Sequence, residues 1–421
     1  MSAPTEIQQT YRYTLPPGIT TNVRVATLPN ASCALRANVP GAPAPFLAQA
    51  TPDGFLDLSI RPPDQQPSQA QEIQAAVTIH ATAGGQTADH VLELRSAREP
   101  TQQMPFPPAV APRPAAQAPI QPVLSPDEAV SLSDEELLQR GYPIRPDPGM
   151  APSAFNTWRR VVSAPILLVK PRTIPRPDIT HAVRASTAGS PQSSSNWSGF
   201  ELHGGGQTYD WVTGTWTVPN VTGEANKITY SSFWIGLDGA GTPDLVQAGT
   251  QQQNVTISFL GLSWSFSTYY AWTQFLPQQQ FEQQITNFPV HPGDQIICQV
   301  WVANTGQMPA LNGSNGVFLL INETTSVSTG YMYTARGSTT VAGAAAEWVM
   351  ERPTVNGSLP DLADYGMAQL TDAVARTVAG GYISYQGAAN EQITMSNGAD
   401  VLSAVSAVNS ATMQFKWHAF H

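Results

Sequence analysis

Charge, lysine, cysteine and long apolar runs are all scarce in this chain, and each shortage closes off a class of protein. Asp, Glu, Lys and Arg make up 12% of the 421 residues, about half the usual share. The 32 glycines and 37 prolines favour strands, turns and loops over long charged helices, so an all-helical protein is excluded. Cys33 and Cys298 are the only cysteines, which rules out a disulfide framework and leaves two buried free thiols as the expectation. There is no CxxC pair and no HExxH, and the seven histidines are scattered, so no zinc site is expected. No apolar run reaches the roughly 18–20 residues that a membrane-spanning helix needs. The opening Met1-Ser-Ala-Pro-Thr-Glu lacks the basic-then-apolar pattern of a secretory signal. Hydrolase signatures are missing as well: there is no Gly-x-Ser-x-Gly elbow, no Asp-Thr-Gly or Asp-Ser-Gly pair, and no histidine beside either cysteine.

A hydrophobic fraction of 41% still supports sizeable cores, and the length predicts two to three domains. Residues 1–100 read as a small β-sandwich, with period-two segments at 22–27, 55–60 and 91–95 bounded by Pro, Gly or Asn. Residues 101–185 hold 16 of the 37 prolines and read as an extended linker. One short helix near 126–140 is predicted to interrupt it, since Ser125-Pro-Asp-Glu supplies a cap, a first-turn proline and an acidic third position. From 186 onward, alternation recurs at 213–218, 254–259, 295–302, 316–321 and 413–417, predicting a mainly antiparallel two-sheet β-sandwich. A helix is expected only within Ala363 to Val378.

Charge divides along the same lines. Residues 1–185 carry 15 basic and 15 acidic side chains, and residues 186–421 carry 5 and 15. The second part is therefore a poor partner for nucleic acid, whose binding depends on clustered Lys and Arg. Just before it, residues 140–185 carry Arg140, Arg145, Arg159, Arg160, Lys170, Arg172, Arg176 and Arg184 against Asp147 and Asp178. A cationic strap thus precedes an anionic domain.

Six phrases stand out in that domain: Asn196-Trp-Ser-Gly, Gly214-Thr-Trp-Thr-Val-Pro, Phe233-Trp-Ile-Gly-Leu-Asp-Gly, Leu245-Val-Gln-Ala-Gly, Tyr269-Tyr-Ala-Trp-Thr-Gln-Phe-Leu-Pro and Ala346-Glu-Trp-Val-Met-Glu-Arg-Pro. In this order and spacing, residues 193–421 resemble the eqolisin-type glutamic peptidases. The resemblance implies a β-sandwich of two long antiparallel sheets and a metal-independent acid endopeptidase without cofactor. Its catalytic pair would be Glu347 and Gln247, with Trp234, Asp238 and Trp272 lining or bracing the cleft. It also implies polypeptide substrates, secretion and a precursor with a basic leader segment; residues 140–185 read as that pro-segment or as a proline-rich tether only, and a monomer with no nucleic-acid or membrane partner is expected.

The implied pair is chemically coherent. A glutamate with a pKa of about 4.3 suits general-base work in mild acid, and a neutral carboxamide can donate an N–H to an oxyanion. Two positions depart from the family pattern: Tyr270 and Gln274 stand where the fungal enzymes carry acids. Gln274 is expected to keep hydrogen-bond geometry while lessening any upward push on the Glu347 carboxyl. Glu347 and Glu351, four apart along a strand, lie about 13 Å from one another, too far to be a same-strand glycosidase pair. A catalytically weak, lectin-like module using the same aromatic groove is the alternative reading.

Overall fold

The computed structural model describes residues 7–38, 42–64, 73–96, 120–121, 124–183, 192–203, 206–259, 262–303, 315–337, 339–387, 390–398 and 400–421. Of the proline-rich linker reading at 101–185, residues 101–119 and 122–123 lie outside them, as does Arg184 of the strap. The described chain is mainly β, and among the described residues no helix is long and apolar enough to cross a membrane.

Contacts divide the chain into two units. The first comprises Met1–Gln117, Val221–Thr229 and Gln252–Tyr269. It holds a five-stranded sheet in the spatial order Ile7–Leu15, Gln86–Ser96, Ile73–Ala83, Ser32–Ala37, Phe46–Gln49. A second layer pairs Thr21–Ala26 with Phe55–Arg61, whose Ser59, Ile60 and Arg61 then pair with Ser267, Phe266 and Ser265. Alternation explains the core: Val23, Val25, Leu56, Leu58, Val77, Ile79, Leu92 and Leu94 all point inward, and Val255, Ile257, Trp264 and Phe266 complete it.

The second unit comprises Ala118–Asn220, Tyr230–Gln251 and Tyr270–His421, and it is a sandwich. In one layer Tyr209–Thr217 pairs with Gln295–Ala303 on one side and Met367–Thr377 on the other. In the facing layer Trp197–His203 pairs with Ala345–Glu351, which pairs in turn with Lys227–Asp238. The hairpin Val401–Asn409 and Thr412–Trp417 links the two layers. Large side chains fill the space between them: Trp348 Nε1 donates to Thr213 O at 2.8 Å and Trp216 Nε1 to Thr250 Oγ1 at 3.1 Å. Cys298 is buried there and Cys33 in the first unit, both as free thiols.

Two local expectations change. The helix near 126–140 is two helices, Pro126–Ser131 and Asp134–Gln139, because Ser133 with Glu136 forms a second capping box behind that of Ser125 with Glu128. The helix expected within Ala363 to Val378 is instead the strand Met367–Thr377. Its alanine content suits a helix, but pairing on both edges, with Tyr209–Thr217 and Thr412–Trp417, decides the matter.

The strap is folded onto the second unit. Pro152–Val162 is an amphipathic helix whose Trp158, Val161 and Val162 pack with Trp211, Trp301 and Leu319. Thr173–Arg176 pairs with Glu282–Ile285, and Ile179–Thr180 pairs with Thr354–Val355.

Candidate active site

Strand alternation fixes which residues share a face. Trp348 points into the sandwich, so its neighbours Glu347 and Val349, and Glu351 beyond, project from the opposite, outer face. In register with Glu347 stands Gly236 on one side and Glu201 on the other; Glu201 is in turn opposite Glu391. Glu201, His203 and Glu391 each bring a ligand-type atom within 4.8 Å of the others, the cation-compatible donor set on this face.

Beyond Gly236 runs the strand Leu245–Phe259 that carries Gln247. A Cβ added at Gly236 would stand 3.0 Å from Val246 O, and one at Gly249 only 2.3 Å from Phe233 O, so the two strands lie side by side. Gln247 and Glu347 therefore flank one intervening strand, two strand spacings or about 10 Å apart at the backbone. Gly236, the residue in register with Glu347 on that strand, has no side chain to fill the space. Both functional groups are fully buried.

Gln247 Nε2 donates to Gln274 Oε1 at 3.1 Å, and Gln274 Nε2 donates to Gln279 O at 3.0 Å. Gln274 thus orients the Gln247 amide. Trp234 Nε1 donates to Glu351 Oε2 at 2.8 Å, and Trp272 Nε1 donates to Ser232 Oγ at 3.0 Å. Together with Trp197, Leu245, Tyr270, Val349 and Ile393, these tryptophans form one buried cluster.

Asp238 is held apart from that cluster, at the turn with Gly239, and its φ is +70°. Its carboxylate accepts from the backbone N–H groups of Ala342, Gly343 and Ala344 at 2.6–3.0 Å, and Asp244 shares the Ala342 N–H at 2.9 Å. It tethers the segment that leads into the Glu347 strand. Burial, then the nearby Asp244, raise the Asp238 carboxyl from 3.8 to about 7, against the opposing pull of the Gly343 and Ala344 N–H groups. A carboxyl that binds its proton more tightly when folded contributes stability that is complete below about pH 4 and lost as pH rises through about 7. Thermal stability is therefore expected to fall between pH 4 and pH 7, and Asp244→Asn to flatten that slope. Scanning calorimetry across this range checks it, and an equal slope in the variant would contradict it.

Two strap residues, His181 and Arg176, meet this face and were not read from the sequence as part of the site. His181 is wholly buried, with Nδ1 2.7 Å from Glu351 Oε2 and Nε2 2.9 Å from Glu282 Oε2. Its ring stacks on Trp272 with centroids 3.9 Å apart and planes 7° apart. Burial pushes the imidazole down, but Glu351 and then Glu282 outweigh it and raise the pKa to about 9. Arg176, also buried, donates to Tyr270 OH at 3.0 Å and Gln284 Oε1 at 3.2 Å and pairs with Asp178 at 2.8 Å. Burial keeps Tyr270 a neutral phenol by raising its pKa well above 10. The sequence signal for Arg176 was its place in the basic strap; His181 carried none, because a histidine adds nothing to a formal charge count.

A two-layer β-sandwich bearing a buried carboxylate and a buried carboxamide on strands flanking a glycine is the setting in which the sequence comparisons fall. The sequence model of the Peptidase A4 family matches residues 195–417. The chain belongs to that family. Aspergillopepsin-2 of Aspergillus niger is 26% identical over 200 residues, which are 43% of this chain and 64% of that relative's length. Among solved structures, scytalido-glutamic peptidase with a transition state analog inhibitor is 20% identical with a TM-score of 0.42, covering 53% of this chain and 99% of that one. Aspergilloglutamic peptidase from Aspergillus niger is 22% identical with a TM-score of 0.36, covering 45% and 99%.

Proposed function

We propose that this protein is an acid endopeptidase, made latent by its own strap and suited to an acidic medium outside the cell. The observation that supports the reading is that Gln247 and Glu347, both buried, lie on strands flanking Gly236, and that these three strands also carry Leu245, Trp234 and Val349 of the tryptophan cluster. Glu347 takes a proton from water as the water oxygen attacks the scissile carbonyl carbon. The oxyanion so formed is met by an N–H of Gln247, whose amide nitrogen carries two hydrogens and spends one on Gln274. The protonated Glu347 then gives its proton to the departing amine as the C–N bond breaks.

The latent state rests on the strap's pairing with Glu282–Ile285 and on the seat of His181 between Glu282 and Glu351, on the face that carries Glu347. Acid lowers the net negative charge of residues 186–421, which carry 15 acidic side chains against 5 basic ones, and so weakens the domain's attraction for the cationic strap. Purified protein shifted to about pH 4 is expected to shorten to a species beginning between roughly residues 165 and 195, and then to digest an unfolded protein substrate. The Glu347→Gln chain is expected to stay intact under the same conditions. Gel and mass analysis of both between pH 2 and 7 decides it: a wild-type chain that remains full-length while cleaving substrate would leave the strap a tether, and one that cleaves nothing at any pH would refute the peptidase reading.

A further inference from the structure

We propose that Glu201, His203 and Glu391 bind one divalent transition-metal ion, with Zn²⁺ the best match, near neutral pH and release it in acid. The site is separate from the peptidase reading above and does not rest on it, and proteolysis in acid needs no metal.

The sheet brings the three donors together. Glu201 and His203 stand two apart on the strand Trp197–His203 and so share a face, and Glu391, on Asn390–Ser396, is the register partner of Glu201. One ligand-type atom from each, two carboxylate oxygens and one imidazole nitrogen, lies within 4.8 Å of the others. Donors held about 2.0–2.2 Å from one ion are at most about 4.4 Å apart, so small side-chain rotations complete the set. Zn²⁺ takes this mixture of nitrogen and oxygen, whereas Ca²⁺ and Mg²⁺ take oxygen ligands. Glu201-Leu-His matches no metal motif and Glu391 comes from a distant strand, which is why the sequence alone predicts no zinc site.

The surroundings suit an ion. Glu201 and Glu391 are buried, and buried charges are stable only when paired or coordinated to a metal. Glu347 stands in register on the other side of Glu201, so three carboxyls and a single imidazole meet here, and a dication supplies charge that one protonated ring does not. Behind the donors, Gln192 Nε2 donates to Glu391 Oε2 at 2.7 Å and fixes the orientation of that carboxylate, as the supporting residues of metal sites do. His203 is half-buried and gives an ion its way in from solvent. No flanking element repels a cation: the strand Gln192–Ser194 contributes the neutral Gln192, the strand Ala345–Glu351 contributes Glu347, and Val401–Asn409, which also packs on these strands, carries no charged residue. Metal binding displaces protons from carboxyl and imidazole groups, whose ordinary pKa values are about 4.3 and 6.5, so such a site fills near pH 7 and empties as the medium becomes acid.

The test is a calorimetric titration of the full-length chain, first stripped with a chelator and then freed of it, with Zn²⁺ at pH 7 and at pH 5. Both values lie above the pH of about 4 at which the strap is expected to be cut. One equivalent should bind at pH 7 and raise the melting temperature, and the affinity should be about tenfold or more weaker at pH 5. His203→Gln and Glu391→Gln should each weaken binding at pH 7 by about tenfold or more, and Gln192→Ala by about tenfold. His421→Gln, which removes an exposed imidazole at the end of the chain, should leave it unchanged. A chain that takes up no stoichiometric Zn²⁺ at pH 7, that binds it as tightly at pH 5, or that still binds it after both ligand substitutions overturns the proposal, and the three side chains are then an ion pair only. The first two outcomes are read on the unaltered chain, so the proposal can fail even where a variant does not fold.

Discussion

Glu347→Gln is expected to lower kcat/KM by two to four orders of magnitude or more while leaving the fold intact, the largest single effect foreseen for this protein. The size follows from removing a positioned general base that also serves as the acid for the leaving amine. Retention of the fold follows from the surroundings. Glu347 is fully buried, and its register partner across the antiparallel pair is another carboxyl, Glu201. An amide of the same shape keeps the packing and spares the cost of burying one ionisable group, so the melting temperature of the variant should equal or exceed that of the wild type. Steady-state kinetics on an unfolded protein substrate, with a melting curve alongside, gives both numbers. Undiminished turnover would place the chemistry elsewhere.

Gln247→Ala is the second large effect. Losing one oxyanion donor costs about 2.7–4 kcal/mol of barrier, a fall in kcat of about 10²–10³ with little change in KM. Gln274→Ala separates this role from simple packing. Gln274 holds the Gln247 amide from behind at 3.1 Å and bonds on to Gln279 O, so its loss frees the amide to rotate without removing the donor. A smaller fall in kcat is expected from that variant. If Gln247→Ala raised KM and left kcat alone, the amide would be a ground-state binder instead.

Much of the face that carries Gln247 and Glu347 is legible in the linear sequence because strand period and short phrases are local properties. The phrase Leu245-Val-Gln-Ala-Gly already places Gln247 outward, and its Gly249 is the residue whose Cβ would collide with the Phe233 carbonyl. The order Ala346-Glu-Trp likewise sets Glu347 and Trp348 on opposite faces. What cannot be read is whatever depends on distant segments meeting. Glu351, visible beside Glu347 and weighed only as its same-strand partner, meets Trp234 and His181 from 117 and 170 residues away. Local composition also misleads where pairing outweighs it: the alanines of Met367–Thr377 sit in a strand flanked on both edges, and the proline-rich strap contributes the buried Tyr142, Ile144 and Trp158 to a core.

The first unit borrows Val255, Ile257, Trp264 and Phe266 from a stretch more than 150 residues downstream of its other strands. Two consequences follow for the life of the chain. During synthesis the core of this unit is incomplete until residues 255–266 have been made. After a cut in the strap, those hundred residues do not diffuse away, because the apolar contacts that complete their core are made by the other fragment. Such a cut would leave a nicked, two-chain particle, separable in denaturant and single in its absence.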